Sequence, residues 1–169
     1  HRFFCLKLFN TELVNAMTPA IELLKKRQIT FNVLSYEHDA NNSNYGQEAV
    51  EKLNLNSAQV FKTLVLETSE GQLVVAITPV TQQVQLKQLA KVCGTKKVTM
   101  AEASKVQAAT GYILGGVSPL AQKKRLATFI HLSAQNFNPI YVSAGKRGLE
   151  ISLSPNDLAL TTNAKFADF

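Results

Sequence analysis

Residues 60–66 read Val60-Phe61-Lys62-Thr63-Leu64-Val65-Leu66, a β-branched and aromatic run with one lysine set inside it. The run predicts a strand, along which side chains alternate between the two faces. Lys62 then shares a face with Val60, Leu64 and Leu66, while Phe61, Thr63 and Val65 lie on the other. An ammonium among apolar side chains is costly unless it finds an anionic or hydrogen-bonding partner. Two readings are open. Lys62 either snorkels to water from an edge strand, or it is a cation held at the floor of a pocket.

The flanking sequence sets the fold around that strand. Ser69-Glu70-Gly71 is a turn signal and residues 73–78 form a second strand ended by Pro79, which predicts an antiparallel hairpin. Upstream, Thr18-Pro19 caps and opens a helix that carries Ile21, Leu23 and Leu24 and ends at Lys25-Lys26-Arg27. A strand over 31–36, a polar loop over 37–44 and a helix over 47–53 follow. Downstream, Leu86, Leu89, Ala90 and Cys93 keep helical spacing with Gly94 as cap, which assigns Cys93 to the core. A short strand at 98–100 and a helix over 102–109 lead into the glycine-rich loop 111–119. Strands over 126–131, 140–143 and 149–153 come next, the last two joined by Ala144-Gly145-Lys146-Arg147-Gly148. Ser154-Pro155-Asn156-Asp157 starts a final helix.

About seven strands interleaved irregularly with about four helices predict an α+β domain around a curled, partly barrel-like mixed β-sheet. Strict βα alternation is absent, so a doubly wound fold is not expected. Residues 1–16 read as an extension detached from a single domain over 17–169, because Met17 is followed at once by the first helix start.

Composition bounds the function. The 169 residues are 46% hydrophobic and 18% charged, as in a globular domain. No apolar stretch approaches the roughly 20 residues that span a bilayer, and the N-terminal residues lack the pattern of a secretory signal. Two cysteines make no disulfide framework, so reduced thiols and a cytoplasmic location are expected. The net charge is +6, and excess positive charge favours a polyanion such as RNA. Lys123-Lys124-Arg125 and Lys146-Arg147 each follow or lie within a small-residue loop, and they are the candidate phosphate contacts.

The standard catalytic parts are missing. His38, Asp39 and His131 are too scattered for a metal site. No nucleophile elbow, no cysteine with a histidine partner and no Walker or Rossmann glycine pattern occurs. What remains is Lys62 and two glycine loops. Gly115-Gly116 either turns the chain between strands or presents main-chain N–H groups to a carbonyl, oxyanion or phosphate. Tyr36 and Tyr45 flank the polar loop, either as partly buried packing or as groups that stack on a base.

Three ordered segments carry a family resemblance: Phe61-Lys62-Thr63-Leu64, then Gly111-Tyr112-Ile113-Leu114-Gly115-Gly116-Val117-Ser118-Pro119-Leu120, then Tyr141-Val142-Ser143-Ala144-Gly145-Lys146-Arg147-Gly148-Leu149-Glu150. Together with Met17-Thr18-Pro19-Ala20, they resemble the YbaK/EbsC family, free-standing relatives of the editing domain inserted in some prolyl-tRNA synthetases. The resemblance implies the editing-domain fold and hydrolysis of cysteine wrongly esterified to proline tRNA. It implies that Lys62 is the functional residue, with Gly115 and Gly116 beside it. Tyr36, Tyr45, Thr63, Ser118, Ser143 and Glu150 are then substrate-binding positions. Two positions depart from the family pattern: Ala144 stands at the first of two positions after the serine where glycine is usual, and Glu150 where aspartate is usual.

The resemblance further implies no cofactor and no protein nucleophile, because the substrate's own thiol attacks its ester carbonyl with the advantage of enforced proximity. Aminoacylated proline tRNA is the implied partner, with prolyl-tRNA synthetase as a source of tRNA identity. Two alternatives stay open: deacylation of another mischarged tRNA such as Ala-tRNA(Pro), and a non-catalytic tRNA- or nucleotide-binding module.

Overall fold

The hairpin around Lys62 forms as the sequence predicts. β2 (Phe61–Thr68) pairs antiparallel with β3 (Leu73–Pro79), in register from Phe61 opposite Pro79 to Glu67 opposite Leu73. The structure, a computed structural model, describes residues 17–169. The expected extension over 1–16, with Cys5 in it, lies outside the described residues.

Before the hairpin come α1 (Pro19–Lys26), β1 (Phe31–Ser35) and α2 (Tyr45–Leu53). After it come α3 (Leu86–Cys93), β4 (Val98–Met100), α4 (Ala103–Thr110), β5 (Ala127–His131), β6 (Ile140–Lys146), β7 (Leu149–Leu153), α5 (Pro155–Thr162) and β8 (Lys165–Ala167). The expected α+β class holds, with two refinements. β8 is an added strand, three residues long and paired in parallel to the end of β5, too short to leave a periodic signature. The strands also divide into two sheets, of order β1-β7-β6 and β4-β2-β3-β5-β8. Among the described residues a single bridge, Val60 to Tyr141, joins them. The sheet therefore curls without closing.

The main core lies where the two sheets face each other. Phe61, Val65, Val75, Ile77 and Ile130 from one sheet meet Ile140, Val142, Ile151 and Leu153 from the other, closed off by Ala20, Ile21 and Leu24 of α1. The alternate residues Leu66, Val74, Ala76 and Phe129 point outward and pack under Leu89 and Ala90 of α3. Cys93 packs at the margin of this smaller core, half-buried. Lys62 keeps the parity of Leu64 and Leu66, so its side chain leaves β2 on the face turned away from the main core.

α2 begins two residues earlier than its apolar spacing suggests. The Asn44 side chain accepts the Gln47 N–H and fixes the first turn at Tyr45. β6 runs on to Lys146, with an irregularity between Ser143 and Lys146. Ala144 is consequently a buried strand residue, whose carbonyl accepts the Thr18 hydroxyl. It lies in β6 rather than in the joining turn.

Candidate active site

β2 offers an open edge. Val80 N–H donates to Val60 C=O at 2.9 Å and Thr68 N–H to Gln72 C=O at 2.8 Å, so the even-numbered residues of β2 turn their main-chain groups toward β3. The odd-numbered ones face the opposite edge. There, Val65 C=O accepts Ala101 N–H at 3.1 Å, and the Val60–Tyr141 bridge covers the other end. Between these two points β2 and β6 diverge, and the N–H and C=O of Thr63 look into the gap. Thr63 Oγ1 is likewise buried without a partner.

That gap is a cavity of about 240 Å³, walled by Val60 and β2 residues 61–64, the N-terminal turn of α2, the 114–117 loop, and Ser143, Lys146, Arg147 and Glu150 of the β6–β7 hairpin. Tyr36 and Tyr45 both line it. Among the described residues, neither histidine nor cysteine does.

Lys62 and Glu150 are two ionisable groups on its walls. Lys62 is half-buried and forms no ion pair among the described residues; burial pushes its pKa down from the usual lysine range. Glu150 is 9% exposed, and burial pushes its carboxyl up to about 8. The Tyr36 hydroxyl is raised to about 12, by burial first and then by the charges of Glu150 and Glu48.

The far wall is braced by a buried carboxylate. Glu48 is 1% exposed; it pairs with His38 Nδ1 at 2.7 Å and Lys52 Nζ at 3.0 Å, and accepts the Asp39 N–H at 2.7 Å. Burial alone would raise its pKa, but these partners outweigh it and hold the carboxyl at about 2. The 37–44 loop is thereby anchored to α2, and Tyr45 is set at the cavity mouth. Arg147 stacks on Tyr45, guanidinium carbon 4.6 Å from the ring centre, and donates from Nη2 to Leu114 C=O at 2.7 Å. One side chain thus ties the hairpin turn to α2 and to the glycine loop. Gly148 brings β1 close, with Tyr36 N–H donating to its carbonyl at 2.9 Å. A β-carbon at Gly148 would collide with Tyr36 C=O.

The structure brings together Lys62, Gly115, Tyr36, Tyr45, Thr63, Ser143, Glu150, Lys146 and Arg147 around this cavity. It does not bring Gly116 or Ser118 there. The Gly116 N–H is spent on Ile113 C=O at 3.0 Å. Ser118 is fully buried, and its Oγ accepts the Leu120 N–H at 3.3 Å. Both shape the loop rather than line its pocket. Ser143 Oγ accepts the Gly145 N–H at 3.1 Å. Lys123, Lys124 and Arg125 lie elsewhere, before Ala127, which pairs with Val74. Lys62 pairs with Thr78, four residues and about 13 Å further along β3. The sequence reading did not name Ser43, Asn44 and Gly46, the strand residues Val60, Phe61 and Leu64, or Leu114 and Val117 as lining residues; the Asn44 cap was the signal that could have placed the first three.

The profile of the aminoacyl-tRNA editing domain matches residues 41–160, a span that includes all of these walls except Tyr36. The chain belongs to the aminoacyl-tRNA editing domain family. An Enterococcus faecalis relative named as a Cys-tRNA(Pro)/Cys-tRNA(Cys) deacylase, EbsC, is 38% identical over 152 residues, covering 89% of this chain and 92% of the relative. Two solved structures share the editing-domain fold. One, described as a trans-editing enzyme for prolyl tRNA synthetase, superposes with a TM-score of 0.77 at 18% identity, covering 90% of this chain and 97% of that one. The other, the hypothetical protein APE2540, gives 0.80 at 23% identity, covering 89% and 98%. Among the described residues of this editing domain, no helix is long and apolar enough to cross a membrane.

Proposed function

We propose that this editing domain is a free-standing hydrolase of the aminoacyl-tRNA ester bond that clears Cys-tRNA(Pro), with the substrate's thiol as nucleophile. The observation that carries this reading is the make-up of the cavity: among the described residues, an unpaired ammonium at Lys62 beside an open strand edge, with no cysteine or histidine on the walls. A pocket of that kind positions and polarises an ester but does not attack it. The name of the Enterococcus faecalis relative supports the same substrate.

In this mechanism the thiol sulfur attacks the ester carbonyl. A C–S bond forms, the C–O bond to the terminal adenosine breaks, and the thiol proton passes to the departing ribose oxygen. Water then opens the cyclic thioester to free cysteine. Lys62 holds the ester oxygen or the terminal phosphate. The Gly115 N–H, which has no main-chain acceptor among the described residues, is the donor for the carbonyl oxygen; one such donor contributes about 10²- to 10³-fold. Lys146 and Arg147 at the mouth meet the single-stranded end of the tRNA, and Lys123, Lys124 and Arg125 meet phosphates farther along. A domain this small has limited surface for reading tRNA identity, so prolyl-tRNA synthetase in the cytoplasm is the proposed partner.

The test is a deacylation time course on Cys-tRNA(Pro), Ser-tRNA(Pro) and Ala-tRNA(Pro), with and without that synthetase and with gel-shift binding alongside. Rapid loss of cysteine with much slower loss of serine is expected. Equal cysteine and serine rates would assign attack to water, faster release of alanine would change the substrate, and binding without ester loss would make the chain a binding module.

A further inference from the structure

The mechanism above uses the ammonium of Lys62 and leaves the cavity's carboxyl idle. Glu150 lies in β7 opposite Ser143 of β6 and Leu34 of β1, so these three side chains form a row across the smaller sheet. Its neighbours in sequence, Leu149 and Ile151, point into the main core; Glu150 points the other way, into the cavity. At 9% exposure it has lost its water, yet no lysine, arginine or histidine among the described residues pairs with it. A buried carboxyl without a cation is costly, and a fold built only for stability would place an apolar residue here.

Lys62 is the obvious counter-ion, and the cavity holds the two apart. The pocket is therefore polarised, with an ammonium on β2 and a carboxyl on β7. A ligand that satisfies both must present an electron-rich oxygen at one end and a cation at the other. The charged terminus of an aminoacyl-tRNA has that form. Its phosphates and carbonyl are oxygen acceptors, and its one cation is the α-ammonium of the amino acid. Cavity and substrate each offer one group for which the other has a single complement.

We propose that Glu150 binds the α-ammonium group of the aminoacyl ester and thereby fixes which way round the amino acid enters the cavity. The inference rests on the deacylase reading and adds a specificity it does not contain: the site recognises a free α-amine as well as a side chain. With Lys62 holding the ester end, the contact to Glu150 leaves the side chain one direction to point, and the thiol is turned onto its own carbonyl. Glutamate in place of the family's usual aspartate moves the carboxyl one methylene deeper into the cavity.

The test compares tRNA(Pro) carrying cysteine with tRNA(Pro) carrying 3-mercaptopropionate, which keeps the thiol and lacks only the amine. Each enzymatic rate is divided by the spontaneous hydrolysis rate of the same ester, because the amine also activates the ester chemically. In the wild type the deamino ester is expected to lose about 10- to 100-fold in this ratio, the value of a hydrogen-bonded charge. In Glu150→Gln, which is nearly isosteric, the two esters are expected to fall within about threefold of each other. Equal ratios in the wild type would overturn the proposal without involving any variant. So would full discrimination retained in Glu150→Gln, which would assign the amine to another acceptor such as Thr63 C=O. Hydrolysis of the cysteinyl ester by the wild type is the control for the deacylase reading itself, so the two fail separately.

Discussion

The ring of Tyr45 lies over Gly115 so closely that a β-carbon there would fall 2.6 Å from its Cζ. Gly115 is also at φ +84°, where an L side chain costs about 1–2 kcal/mol. Gly115→Ala therefore has to move the Tyr45 ring or the loop, and Arg147, stacked on that ring, moves with it. The expected outcome is a fall in melting temperature and at least a tenfold fall in deacylation. Adding Tyr45→Ala should restore part of the melting temperature by removing the collision while leaving the φ strain. If Gly115→Ala is as active as the wild type, the loop does not form the pocket wall during turnover.

The architecture around that wall was legible only in part. The hairpin, the parity of Lys62 and the final helix start follow from local rules, alternation and capping, which act over a few residues. The cavity depends on where β2 and β6 part, and nothing near Val60 or Tyr141 in sequence marks a bridge across some eighty positions. Gly116 looked equivalent to Gly115, since a glycine pair does not say which N–H is free. Ile113 C=O decides it. Ser118 was misleading for the same reason, as its hydroxyl is taken by Leu120. Glu150 was visible as a departure from a motif, but its isolation is a property of the assembled sheet.

Lys62 stands in tension with stability. Its ammonium loses part of its water on folding and gains no ion-pair partner among the described residues, a cost to stability that the proposed role would account for. Lys62→Met should abolish measurable deacylation, with a loss of at least about 10²-fold, and should leave the melting temperature equal to or above that of the wild type. A large drop in melting temperature would mean that the ammonium holds the fold together. Side-by-side thermal melts and single-turnover kinetics decide between these.

Two carboxyls give stability opposite pH dependences. Glu150 is raised from the usual 4.5 to about 8, so the folded state keeps a proton that the unfolded chain releases. Its contribution declines as pH rises from about 4.5 to 8 and levels off above. Glu48 is lowered from 4.5 to about 2, so its contribution is full above 4.5 and disappears as pH falls through 2. Urea midpoints measured across pH should show Glu150→Gln flattening the slope on the neutral side, while Glu48→Gln lowers stability at pH 7 and flattens the acid limb. If Glu150→Gln leaves the slope between pH 5 and 8 unchanged, its carboxyl is ionised in the free protein and another group faces it.

The two basic clusters should separate by substrate length. Lys146 and Arg147 line the cavity, where the unpaired end of the proposed tRNA substrate would enter, and Lys123, Lys124 and Arg125 precede β5, outside the cavity lining. Each phosphate contact contributes a salt slope of about 0.9 on duplex and about 0.7 on single strands. Replacing Lys123, Lys124 and Arg125 together by Ala should flatten the salt dependence of binding to whole Cys-tRNA(Pro) by about 2 to 3 and raise its KM more than it lowers kcat. With a cysteinyl ester of a short CCA-ended oligonucleotide, the same triple substitution should change KM little, because that substrate ends before reaching the cluster. Arg147→Ala should weaken both substrates, since it removes a cation at the mouth together with the contact that holds Tyr45 against Leu114. Equal losses on both substrates for the triple variant would place its cations at the cavity instead, and the tRNA body would then cross a different face of the domain.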